Sequence, residues 1–188
     1  SASIAAFTNS HKVRDLKLSK ELQNAIPDDS GDIFFFDAVL KDSDDVLALD
    51  LSSGTQIKVD KATVRSFNDK VPGKPYLSED RKTIKDIPVK LDAVTTIYGL
   101  PLGTTCEVTE KHFTVPDNMT HDNITIGASS SQSVSIVNEP QSLAMAFTNT
   151  RKTGKFSIAK QVVSPVYIEH AAEYDVKVTL KDKSGHPV

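Results

Sequence analysis

The sequence predicts an all-β protein, an antiparallel β-sandwich cut from a tandem repeat, and three observations carry that expectation. Apolar and polar residues alternate through most of the chain, with Val, Ile, Thr and Phe enriched, the pattern of strands with one face buried. Turn-forming clusters such as Pro27-Asp28-Asp29-Ser30-Gly31-Asp32 and Asp42-Ser43-Asp44-Asp45 punctuate the alternation, while helical periodicity is almost absent. Finally, the letters FTNT at Phe147 to Thr150 nearly recur as FTNS at Phe7 to Ser10. The offset of 149 − 9 = 140 also carries Lys20 to Lys160 and Leu40-Lys41-Asp42 to Leu180-Lys181-Asp182. The unit is about the size of one domain. Residues 1–10 then read as the last strand of a preceding repeat, 11–150 as one complete repeat and 151–188 as the first strands of the following one.

Taken in order, the alternation places strands near 2–9, 13–22, 32–41, 46–51, 54–59, 87–91, 93–98, 104–110, 123–127, 131–137 and 142–149. Residues 60–86, with Pro72-Gly73-Lys74-Pro75 and Ser78-Glu79-Asp80-Arg81-Lys82, are the least strand-like stretch; they read as a surface excursion with one short helix at 61–68. The acidic clusters Asp28/Asp29/Asp32 and Asp42/Asp44/Asp45 lack the spacing and distal Glu of a calcium loop and read as solvated turns.

A 140-residue unit with 38% apolar residues buries a core without metal or disulfide staples. A net charge of -3, with Lys and Arg interspersed among Asp and Glu, leaves no basic face for nucleic acid. No apolar run approaches a bilayer span and no signal-peptide core opens the chain, so no direct membrane contact is expected; a leader or anchor would lie outside this array segment. The single Cys106 excludes an internal disulfide and does not fix the redox compartment. His11, His112, His121, His170 and His186 show no metal-ligand spacing, and there is no nucleophile elbow, phosphate loop or dinucleotide fingerprint, so neither a cofactor nor a turnover enzyme is indicated. Cys106 shares its apolar face with Val108 and reads as core rather than as a nucleophile beside His112, and the glycosylation-type triplets at 118–120 and 123–125 read as loop residues.

Side chains alternate across a strand, so each strand's inward row can be read off. Leu16, Leu18, Lys20 and Leu22 share a face, as do Phe156, Ile158, Lys160 and Val162 at the same point of the next copy. Leu143, Met145, Phe147 and Asn149 share another, and Cys106, Val108 and Glu110 a third. Three strands thus each direct one polar residue, a Lys, a Glu and an Asn, into the core. Burial disfavours charge, lowering an amine's pKa and raising a carboxyl's, which sets a nucleophilic amine beside an acid able to donate a proton. Attack of the Lys20 amine on the Asn149 side-chain carbon, with Glu110 as proton shuttle, would release ammonia and leave an amide cross-link. The plainer alternative is a Lys that snorkels to water, a Glu that pairs with it and an Asn that caps a turn.

The strand LKLSK at 16–20, the segment IYGLPLGTTCEVTE at 97–110 and the closing AFTNT at 146–150 resemble the Cna B-type, immunoglobulin-like repeats of Gram-positive surface adhesins and pilins. The resemblance implies an immunoglobulin-like sandwich on the extracellular cell surface, with a self-formed isopeptide bond between Lys20 and Asn149 assisted by Glu110. Asn9 and Lys160 would be half-sites whose partners lie in adjacent repeats, or which meet between two molecules. The departures are Cys106, where an aromatic is usual, and the stretch 60–86, which has no counterpart. A bridge spanning 149 − 20 = 129 positions would route tension past the intervening sheet. The function expected is a stalk repeat whose partners are its neighbouring repeats. The alternative is an adhesive module that meets a host ligand through the 60–86 or 127–133 loops, which an exposed patch at Phe67, Tyr76 and Leu77 would favour.

Overall fold

The structure, a computed structural model, describes residues 12–51, 57–111, 130–161, 163, 174–181 and 185–187, with backbone alone at 28 and 124–126. The strands expected at 2–9 and over 54–56, and the preceding-repeat segment 1–10, lie outside the described residues.

Among the described residues twelve strands form in the order β1 (Val13–Gln23), β2 (Ile33–Asp42), β3 (Asp45–Val46), β4 (Lys58–Val59), β5 (Ala62–Thr63), β6 (Tyr76–Leu77), β7 (Thr83–Lys90), β8 (Val94–Pro101), β9 (Thr105–Glu110), β10 (Ile124–Ile126), β11 (Ser131–Ser135) and β12 (Leu143–Arg151). They pair into two sheets. One runs β10-β12-β1-β8-β4-β5 and the other β11-β9-β2-β7-β6, with β3 attached to β2. The inward rows of the two sheets form one apolar core, including Leu16 and Leu18 from β1, Phe34 and Phe36 from β2, Ile97 from β8 and Phe147 from β12. The architecture is the expected all-β sandwich. Among the described residues, no helix is long and apolar enough to cross a membrane.

Among the described residues every strand pair but one is antiparallel; β1 and β12 run parallel, with Leu16 opposite Leu143 and Leu22 opposite Asn149. Parallel neighbours need a long crossover, and here the crossover is the whole domain between them. The first and last of the described strands therefore lie side by side.

The stretch 60–86 corrects the expectation of a surface excursion. Instead of a helix at 61–68 it supplies the edge strand β5, a single 3-10 turn at Phe67–Asp69 and the edge strand β6, and β7 begins at Thr83 rather than 87. Backbone bonds from Arg65 N to Pro75 O (3.0 Å) and from Leu77 N to Arg65 O (2.8 Å) tie its two limbs together. It thus runs from the edge of one sheet to the edge of the other. Val64 and Leu77 are buried in the core, each contributing roughly 1.5–3 kcal/mol. Two anchoring residues in a polar run are too few to produce a visible period. The strand expected at 46–51 likewise shrinks to Asp45–Val46, because Leu49 N bonds to Arg81 O (2.9 Å) instead of continuing the ladder beside β2.

Candidate functional site

Each of the three long strands that carry the site keeps strict alternation. On β1, Leu16, Leu18 and Lys20 point inward while Asp15, Lys17 and Glu21 are exposed; on β12, Met145, Phe147 and Asn149 point inward between exposed Ala144, Ala146 and Thr148. On β9, Cys106, Val108 and Glu110 take the inward positions. All three polar residues are buried, Lys20 at 1%, Glu110 at 4% and Asn149 at 1% exposure.

They meet. Lys20 Nζ donates to Glu110 Oε2 at 2.8 Å, and Asn149 Nδ2 donates to Glu110 Oε1 at 2.7 Å, so one carboxyl group holds both side chains. Lys20 and Asn149 come from the parallel neighbours β1 and β12, and Glu110 reaches them from β9 in the facing sheet. In the register Lys20 lies opposite Phe147, two positions from Asn149, a span of roughly 7 Å that a Lys side chain covers. The Glu110 backbone is fixed by its N–H on Ser130 O at 2.6 Å.

Aromatic side chains close the site. The Phe34 ring centroid lies 5.0 Å from Lys20 Nζ, and the Phe36 and Phe147 rings stack tilted with centroids 4.7 Å apart. Burial pushes the Lys20 pKa down, against the opposing hydrogen bond and charge of Glu110. A lowered amine pKa favours the neutral, nucleophilic form, and proton transfer along the Lys20–Glu110 hydrogen bond produces it without bringing in water.

The other candidates behave differently. Asn9 lies outside the described residues. Lys160, in the same sequence pattern as Lys20, is exposed among the described residues, its ammonium 5.1 Å from the Tyr174 ring. Cys106 is buried in the core and its thiol is pushed up to about 12 by burial, an unreactive environment. His11, His112, His121 and His170 lie outside the described residues, as do 118–123. Among the described residues no cluster of His, Cys, Asp and Glu is placed to hold a metal ion.

The exposed patch at Phe67, Tyr76 and Leu77 that would favour the adhesive alternative does not form. Leu77 is core, while Phe67 and Tyr76 are half-buried against each other with centroids 6.5 Å apart, and Lys70 lies 4.1 Å over Phe67. Of the loop at 127–133, residues 127–129 lie outside the described residues and Ser131–Ser135 is strand β11.

One buried pair escaped the sequence reading. Asp29, expected in a solvated turn, is 2% exposed and accepts hydrogen bonds from Ile26 N (2.8 Å) and Arg151 Nε (2.8 Å), with a second prong from the same guanidinium. The run Pro27-Asp28-Asp29-Ser30-Gly31 gave no sign of which acid turns inward; the partner sits 122 positions away.

A family profile described as a domain of unknown function, DUF5979, matches residues 70–152, the half of the unit that holds Glu110 and Asn149. No curated protein matches the chain. Among solved structures it is similar to the pilus-presented adhesin Spy0125 (Cpa), at 18% identity and a TM-score of 0.47 over 75% of this chain and 28% of that one. It is also similar to GBS52, the minor pilin of Streptococcus agalactiae (11% identity, TM-score 0.36, 80% of this chain and 49% of that one). A third match is the major pilin protein T3.2 of Streptococcus pyogenes (15% identity, TM-score 0.35, 76% and 45%). The chain spans about a quarter of the adhesin and under half of either pilin.

Proposed function

We propose that this domain is a structural repeat of a bacterial surface pilus or adhesin stalk, cross-linked to itself by an amide bond between Lys20 and Asn149. One observation carries the reading: the Glu110 carboxyl group bridges Lys20 Nζ at 2.8 Å and Asn149 Nδ2 at 2.7 Å in a buried, aromatic-walled site. An ion pair kept only for stability has little reason to be there, since apolar residues of similar volume are often as good.

The chemistry balances within the three side chains. Glu110 takes a proton from the Lys20 ammonium, leaving a neutral amine and a carboxylic acid. The Lys20 Nζ lone pair attacks Asn149 Cγ; the proton lost by the attacking nitrogen passes through Glu110 to Nδ2. The Cγ–Nδ2 bond breaks, ammonia leaves and the Cγ–Nζ amide remains. No electron acceptor or external enzyme takes part, and the event occurs once per molecule. Preorganisation supplies the rate: a near-attack geometry is worth roughly 7–11 kcal/mol of barrier.

Because β1 and β12 are parallel neighbours, the bond joins the two strands through which an array would transmit tension, and the sheet between them is bypassed. Intact-mass spectrometry tests this. Wild type is expected to be lighter than its sequence mass by one ammonia, and Lys20→Ala and Glu110→Ala to have full mass; full mass in folded wild type would overturn the reading.

A further inference from the structure

Asn149 and Arg151 occupy alternate positions of β12 and so lie on the same face, with Arg151 the half-buried last residue of the strand. Its guanidinium grips Asp29 with two prongs, and Asp29 stands in the 3-10 turn Pro27–Asp29, on the crossover from β1 in one sheet to β2 in the other. Two further bonds stitch the same ends: Thr150 Oγ1 with Gln23 Oε1 at 3.0 Å, and Asn24 Nδ2 to Arg151 O at 3.4 Å. A parallel pair has no hairpin turn to set its register, and a slip of one residue would turn Asn149 to the outer face. The end of β12 is laddered by its backbone to β1 on one side and β10 on the other, and these side chains add a restraint that ties it to the crossover leaving β1.

We infer that Asp29 and Arg151 are positioning residues for the Lys20–Asn149 reaction, locking the β1–β12 register at Asn149. The inference rests on the cross-linking reading and adds to it a pair that touches neither reacting atom. Asp29 is suited to the task because its carboxylate also accepts from Ile26 N, which ties the guanidinium to the backbone leaving β1. The planar fork of Arg151 meets a carboxylate in one orientation, which a flexible ammonium would not impose.

The test follows ammonia loss over time by intact mass in protein made by cell-free synthesis, with near-UV circular dichroism to verify folding. Asp29→Asn keeps the acceptor for Ile26 N and removes the ion pair; Arg151→Lys keeps charge and removes the fork. Both are expected to slow ammonia loss by on the order of tenfold to a hundredfold while folded. Leu77→Ala, which opens a cavity under β6, is expected to lower stability without slowing the reaction, separating positioning from general destabilisation. Ammonia loss at the wild-type rate in folded Asp29→Asn and Arg151→Lys, or an equal slowing in Leu77→Ala, would overturn the positioning role and leave the cross-link standing. No ammonia loss in folded wild type would overturn both.

Discussion

Strand β9 carries two Lys–Glu pairs three residues apart, and they are opposite in character. Glu107 faces outward and meets Lys41 of β2 at 2.6 Å, with both side chains about a third exposed; Glu110 faces inward and meets Lys20 of β1 at 2.8 Å, with side chains 0% and 2% exposed. The chemical groups are the same. Strand parity puts one pair in water, where solvent screens it and side-chain entropy offsets it, and the other inside the core, out of reach of solvent. The contrast shows that the environment the two sheets build around the residues, not the residue types, sets the Lys20–Glu110 pair apart.

The largest expected effect removes the third residue held at the inner pair. Asn149→Ala removes the electrophile, so the protein keeps its full mass and loses the restraint on a loop of 149 − 20 = 129 positions. The chain-entropy model gives about 5 kcal/mol for that restraint, or a fall in Tm of roughly 10–20 °C, measurable by calorimetry. An unchanged Tm would show that no bond spans β1 and β12.

The next effect is a pH dependence. In Glu110→Gln an amide oxygen can still accept from Lys20, but the carboxylate charge that opposes desolvation of the amine is gone, so its folded pKa drops further below the ordinary lysine value of 10.5. Between the two pKa values the unfolded chain binds more protons than the native state. Stability therefore rises with pH towards 10.5 and is lost as pH falls to the folded value. Urea denaturation at several pH values should show that rise in Glu110→Gln and none from this nitrogen in cross-linked wild type, where it is an amide.

A finer test probes the same inward face two steps of the alternation away. Cys106, with its thiol raised to about 12, should resist alkylation at neutral pH in folded protein and react once the chain is unfolded. Labelling of the folded protein would mean that the core beside Glu110 opens. The smallest effect belongs to the outer pair: Lys41→Ala should change stability by under about 1 kcal/mol, less at high salt, and leave ammonia loss untouched.

Much of the site was legible because β1, β9 and β12 are regular strands with clean alternation, and parity alone assigns Lys20, Glu110 and Asn149 to inward rows. The same rule failed where strands are two residues long. Ala62–Thr63 and Tyr76–Leu77 are too short to show a period, so a segment that closes both sheet edges looked like a loop. Asp29 failed for a different reason. A turn rich in Asp and Ser is satisfied equally well by water or by a distant guanidinium, and only the position of Arg151 decides between them.

By itself the sequence determined which side chains face inward on each long strand, since the 2-residue period is a local property of extended backbone. It also determined that three of them are polar in otherwise apolar rows. Only the tertiary structure decided that those three rows converge, because β1 and β12 pair in parallel and β9 lies across the core in the other sheet, and no local rule sets a register between segments more than a hundred residues apart. The covalent chemistry proposed here depends on that convergence: an amine, an acid and a carboxamide become a reactive set only when the sheets bring them together and exclude water around them.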